Sequence, residues 1–137
     1  MLKDIAAKYY LEDDRNCAES TLIAICQQYG LELSEEEVRL IGGFGGGMSC
    51  GKTCGALCGA IGALGKMLIK TKAHETEALR PTCAQMVEDF VDKLGTTECS
   101  VLRERFATKE RKCGYTVETA CDVFEALAAQ KGLDCKK

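Results

Sequence analysis

Residues 42–70 read GGFGGGMSCGKTCGALCGAIGALGKMLIK, and the fold turns on how this stretch is read. It holds ten of the fourteen glycines and three of the ten cysteines. Its first half is too rich in glycine to offset its own ordering entropy as a helix. Its second half, from about Cys50, reads as a helix with a small-residue face, because Gly51, Gly55 and Gly59 recur every four residues and line one side. Where no Cβ stands, another backbone can come very close. Cys50, Cys54 and Cys58 recur at the same interval on an adjacent stripe. Thiols beside a glycine seam describe one wall of a tight sulfur-lined site. The plainer reading is a core helix whose free cysteines serve as small hydrophobes.

Outward from this stretch the apolar spacing is helical in both directions. Leu2, Ile5, Ala6, Tyr9 and Tyr10 mark a first amphipathic helix. Asn16 then reads as an N-cap with Glu19 as its capping-box partner, ahead of a stripe of Ala18, Leu22, Ile25 and Tyr29 that Gly30 stops. Ser34 with Glu37 repeats the signal before a helix that turns Val38 and Ile41 inward. Downstream, 71–80 is polar, and Pro81 breaks or restarts the helix, since it lacks a donor and clashes one turn back. Met86, Val87, Phe90, Val91 and Leu94 continue to Gly95. A shorter helix carries Leu102 and Phe106, and a last one runs from about Tyr115 to Gly132. No useful stretch alternates with period two, and there is no internal repeat or linker. The expectation is one all-α domain over residues 1–137, a compact bundle of six or seven helices around the glycine- and cysteine-rich helix.

The net charge of -3 and the pI near 5.3 argue against a general nucleic-acid binder. The locally basic run RERFATKERK, 103–112, has mixed signs at helical spacing and reads as a solvated face. MLKDIAAKYYLEDDRN offers no continuous apolar core of a signal peptide, and the longest apolar run, near 56–64, is glycine-broken and too short to span a membrane. The sequence therefore predicts a cytoplasmic protein with no membrane or nucleic-acid partner. In that reducing compartment ten cysteines do not read as a static disulfide framework; they read as metal ligands, redox thiols or small buried groups.

There is no Cys-x-x-Cys, which removes the strongest signal for a thioredoxin-type pair, a zinc ribbon or a bacterial ferredoxin run. The single histidine, His74, reads as an exposed helix residue. Residues four apart on a helix have Cβ atoms about 5–6 Å apart, whereas a disulfide wants about 3.5–4.5 Å, so Cys50–Cys54 or Cys54–Cys58 would bond only with distortion. A metal or cluster bridges wider gaps. Placement says more. Cys17, Cys54, Cys99 and Cys113 each fall near the start of a different helix. A helix N-terminus carries about half a positive charge and several free amide donors, and so favours thiolate over thiol. An anionic iron–sulfur cluster would be stabilised by the same amides. Cys26, Cys83, Cys121 and Cys135 read as structural or incidental.

One match misleads. Residues 46–53, GGMSCGKT, fit the phosphate-loop pattern at every position. A phosphate loop follows a buried parallel strand, and the lead-in here, EEEVRLIGGFG, is a helix running into glycines, with no βαβ unit to hold the loop.

Asn16-Cys17-Ala18-Glu19, Gly45-Gly46-Gly47-Met48 and Cys54-Gly55-Ala56-Leu57-Cys58-Gly59-Ala60, followed by lone cysteines at 99 and 113, carry a resemblance. From Asn16 to Leu127 the chain resembles the redox-active proteins labelled C_GCAxxG_C_C for their cysteine pattern. By position, the family's four cysteines correspond to Cys17, Cys54, Cys99 and Cys113. The label reads Gly-Cys-Ala where this chain reads Cys54-Gly55-Ala56, which leaves Cys50, Cys54 and Cys58 all open for the central slot. A similar module occurs in split-Soret-type cytochromes, where the cysteines are associated with a 2Fe–2S centre. The resemblance thus implies a cluster of that type. No Cys-x-x-Cys-His is present to attach a c-type haem.

The expectation is a small redox carrier or sensor, rather than a turnover enzyme, with Cys17, Cys54, Cys99 and Cys113 as ligands of a 2Fe–2S cluster. Gly46, Gly47, Gly55 and Gly59 would allow close backbone approach and amide contacts to cluster sulfur. The alternatives are metal-free thiol–disulfide chemistry by the same cysteines and a zinc-stabilised interaction module. Its redox partner is an unidentified protein, and the glycine seam suits packing within the domain or across a homodimer.

Overall fold

Seven α-helices make up the computed structural model, which describes residues 1–133: α1 (Leu2–Leu11), α2 (Cys17–Gln28), α3 (Glu35–Gly42), α4 (Gly55–Leu68), α5 (Leu79–Leu94), α6 (Cys99–Phe106) and α7 (Gly114–Lys131). No strand occurs among the described residues; two isolated bridges join Thr53 to Glu98 and Thr108 to Lys112. No helix among them is long and apolar enough to cross a membrane.

Local chemistry sets several ends where the sequence places them. The Asn16 side chain accepts the Glu19 amide at 2.9 Å, and the Glu19 carboxylate accepts the Asn16 amide at 3.0 Å. Ser34 and Glu37 reproduce the same reciprocal cap on α3. Gly30, Gly95 and Gly132 follow α2, α5 and α7 with φ of 68°, 90° and 70°, values that only glycine adopts without strain. Pro81 sits in the first turn of α5, where its missing donor would have had no partner in any case. His74 is exposed in a short 3-10 turn, Ala73–Glu75.

The core is built from one face of each long helix. Leu57 and Leu64 of α4, Met86 and Phe90 of α5 and Phe124 of α7 are essentially free of solvent. Burial of each such side chain is worth about 1.5–3 kcal/mol against leaving it exposed. Tyr29 meets Phe124 edge-on, with ring centroids 5.5 Å apart. The α4 helix packs against α2, α3, α5 and α7, and α1 lies on α2 and α7. At Gly59 an added Cβ would fall 2.5 Å from the Ala18 carbonyl oxygen, so α2 and α4 approach as closely as glycine permits. Cys26 and Cys121 are buried in this core and Cys83 is partly buried, while Cys135 lies outside the described residues.

The glycine stretch departs from the sequence reading at its centre. The helix starts at Gly55 and not near Cys50. Gly46 (φ 66°, ψ 27°), Met48 (φ 60°, ψ 34°) and Ser49 (φ 62°, ψ 10°), with Gly47 at φ 69°, form one turn of left-handed helix. An L-residue costs roughly 1–2 kcal/mol there, and the reversed screw cannot run on into a right-handed helix. Cys50 and Gly51 therefore stand apart from α4, and the two four-residue stripes reduce to Gly55 with Gly59 and Cys54 with Cys58.

Candidate functional site

Cys17 opens α2, Cys54 caps α4, Cys99 opens α6 and Cys113 caps α7. Three local devices draw these helix starts together. The segment before α4 and the segment before α6 run antiparallel: the Cys99 amide donates to the Lys52 carbonyl at 2.5 Å and the Cys54 amide to the Thr97 carbonyl at 2.8 Å, on either side of the Thr53–Glu98 bridge. The start of α2 fits against α4 because Gly55 has no side chain; a Cβ there would lie 2.5 Å from Cys17 Sγ and 2.8 Å from the Phe44 carbonyl oxygen. The left-handed turn closes over both, since a Cβ on Gly47 would collide with Cys99 Cβ and sit 2.7 Å from the Lys52 nitrogen.

The fourth thiol arrives by a route that the sequence does not announce. The Cys113 amide donates to the Tyr10 hydroxyl oxygen at 3.1 Å, which ties the start of α7 to the last turn of α1. Arg103, one helical turn after Cys99, places Nη2 3.9 Å from Cys99 Sγ. The i, i+4 spacing made that second contact legible. The first joins residues far apart in sequence.

The electrostatics show which sulfurs share a neighbourhood. Burial pushes the Cys17 thiol above its ordinary value; the Gly46 amide facing it pulls back, and charge on Cys113 and Cys99 pushes further up. Cys54 is pushed up to about 12, chiefly by burial, against the Leu57 and Ala56 amides and together with charge on Cys17 and Cys99. Cys58, half-buried, is raised by burial and by Cys17. Cys17 is thus the common neighbour, feeling Cys99 and Cys113 and felt by Cys54 and by Cys58, while Cys54 also feels Cys99. Cys50 is exposed at the end of the left-handed turn. Gly46, Gly47 and Gly55 line the group, whereas Gly59 meets Ala18 and Thr21 in a helix-packing contact.

A family model described as "Putative redox-active protein (C_GCAxxG_C_C)" matches residues 15–127. The chain belongs to the C_GCAxxG_C_C family. The matched segment takes in all four helix-start cysteines, the left-handed turn and α2 through α6; α1, with Tyr10, lies ahead of it. No curated protein and no solved structure gave a match.

Two findings bear on what this C_GCAxxG_C_C site can bind. The first corrects the expected thiolate. The helix-start amides do favour charge on Cys17 and Cys54, but loss of water around those sulfurs outweighs them, so both thiols are held protonated. A thiolate at such a place calls for a nearby positive charge, and a bound metal supplies one; a coordinating thiol is deprotonated outright. The second is geometric. As the side chains stand, no group of three or more His, Cys, Asp or Glu among the described residues forms a ready metal cage. The donor set itself fits an iron–sulfur cluster: four thiols from separate helix starts, amides facing two of the sulfurs, and glycines where a Cβ would intrude.

Proposed function

We propose that the chain is a one-electron redox protein whose centre is an iron–sulfur cluster, of the 2Fe–2S type, held by Cys17, Cys54, Cys99 and Cys113, and that it works in a reducing compartment where its many cysteines stay as thiols. The supporting observation is that Cys17 lies within the electrostatic reach of Cys54, Cys99 and Cys113, and that all four stand at helix starts drawn from across the chain. Bound there, such a cluster supplies a one-electron couple that involves no substrate bond. The chain's own groups do the rest. Burial of Cys54 and Cys99 keeps water from the sulfurs. The Gly46, Ala56 and Leu57 amides place partial positive charge against Cys17 and Cys54. Arg103 adds a full positive charge beside Cys99. The amides and Arg103 favour negative charge at the centre, and so favour its reduced state, while burial opposes it.

The test is a visible absorption spectrum with iron and sulfide assays on protein purified and reconstituted without oxygen. A coloured protein with stoichiometric iron supports the reading; a colourless, iron-free one overturns it, and stoichiometric zinc would point to an interaction module instead. A second reading is metal-free thiol–disulfide exchange by the same cysteines, with Cys58 of α4 near enough to Cys17 of α2 to feel its charge. Alkylation mass spectrometry in reduced and oxidised states decides it, and the idea goes if no cysteine pair closes reversibly near the cytoplasmic potential.

A further inference from the structure

The Tyr10 phenol reaches the Cys113 end of the sulfur group, and it comes from a helix outside the family-matched segment. Its hydroxyl oxygen accepts the Cys113 amide at 3.1 Å, which sets the hydroxyl against the residue that carries the sulfur. The neighbouring Tyr9 points the other way, donating to Gln27 at 2.7 Å. A phenol oxygen that already accepts one hydrogen bond still has its own proton to give.

We propose that Tyr10 is a positioning residue of the redox centre: it fixes the start of α7 by accepting the Cys113 amide and donates its O–H to the Cys113 sulfur, raising the potential at which the centre takes up an electron. A hydrogen bond to a ligand sulfur withdraws electron density and stabilises the reduced state, in which the sulfur carries more negative charge. The effect is on the potential and not on the ligand count. This inference rests on the cluster reading above.

Tyr10→Phe keeps the ring and its packing and removes the hydroxyl alone; Tyr9→Phe serves as control. In full-length protein reconstituted without oxygen, all three forms are expected to hold the same iron, and Tyr10→Phe is expected to have a lower midpoint potential in a spectroelectrochemical titration, with Tyr9→Phe unchanged. In reduced, metal-free protein, hydrogen exchange at the Cys113 amide is expected to accelerate in Tyr10→Phe, while the Cys99 amide, bonded to Lys52, keeps its wild-type rate. Iron-loaded Tyr10→Phe with an unshifted potential, or an unchanged Cys113 exchange rate, overturns the role of Tyr10 and leaves the cluster standing. A wild-type protein that takes up no iron overturns the cluster reading and this role with it.

Discussion

Cys17 Sγ occupies the space that a side chain at position 55 would need: a Cβ on Gly55 would lie 2.5 Å from that sulfur. The other near atoms are backbone, the Phe44 carbonyl oxygen at 2.8 Å and Gly45 Cα at 3.0 Å, and backbone cannot swing aside. Gly55→Ala is therefore expected to destabilise the fold by about 1–3 kcal/mol through overpacking, and to lower bound iron by displacing Cys17. Gly62→Ala, on the same helix, meets only the end of the Ile41 side chain at 3.4 Å and is expected to be neutral or to gain up to about 1 kcal/mol of helix propensity. Urea denaturation of the two variants reads the contrast.

The ligand set makes a second prediction. Alanine at Cys17, Cys54, Cys99 or Cys113 is expected to remove most of the reconstituted iron, whereas Cys26→Ala and Cys121→Ala, in the core, retain it. Cys50→Ala and Cys58→Ala are expected to retain it as well, which assigns the central slot to Cys54. Iron assays with the visible spectrum of each variant check the pattern, and circular dichroism separates lost ligation from lost folding.

Asn16 joins a helix cap to the glycine segment. Its side chain caps α2 and also donates through Nδ2 to the Gly42 carbonyl at 2.8 Å. Asn16→Ala loses both and is expected to cost about 1–2 kcal/mol or somewhat more. Asn16→Asp keeps the cap but turns an acceptor toward the Gly42 carbonyl, and is expected to fall between. The order of the denaturation midpoints tests this.

Alkaline pH is expected to weaken the metal-free protein. Burial raises Cys121 from an ordinary 9.0 to about 12, so between those values the folded chain holds a proton that the unfolded chain has released. The stabilisation from this thiol is fully present below about pH 9 and is lost as pH rises toward 12, at up to roughly 1.4 kcal/mol per pH unit. Cys121→Ala is expected to flatten the fall in the urea midpoint measured between pH 8 and about 10.5, whatever it does to the midpoint itself.

Much of the architecture was legible because local rules fixed it. The caps at Asn16 and Ser34, the stops at Gly95 and Gly132 and the four helix-start cysteines all come from residues within a turn of one another. The start of α4 was misplaced because Cys50, Cys54 and Cys58 repeat at the helical interval, and spacing carries no information about handedness; Met48 and Ser49 gave no sign of positive φ. The thiolate expectation failed for a related reason. Helix-end charge is local and could be read, while the burial that overrides it at Cys54 depends on which helices pack around it. Tyr10 was one more apolar position on α1 until folding set it against Cys113.

The four sulfurs belong to helices that touch only once tertiary structure is complete, from Cys17 near one end to Cys113 near the other. No fragment of the chain holds the whole set, and a single undocked helix breaks it. A cluster held there would act as a coincidence detector for folding: its colour would appear late, all at once, and would vanish with the first helix to detach.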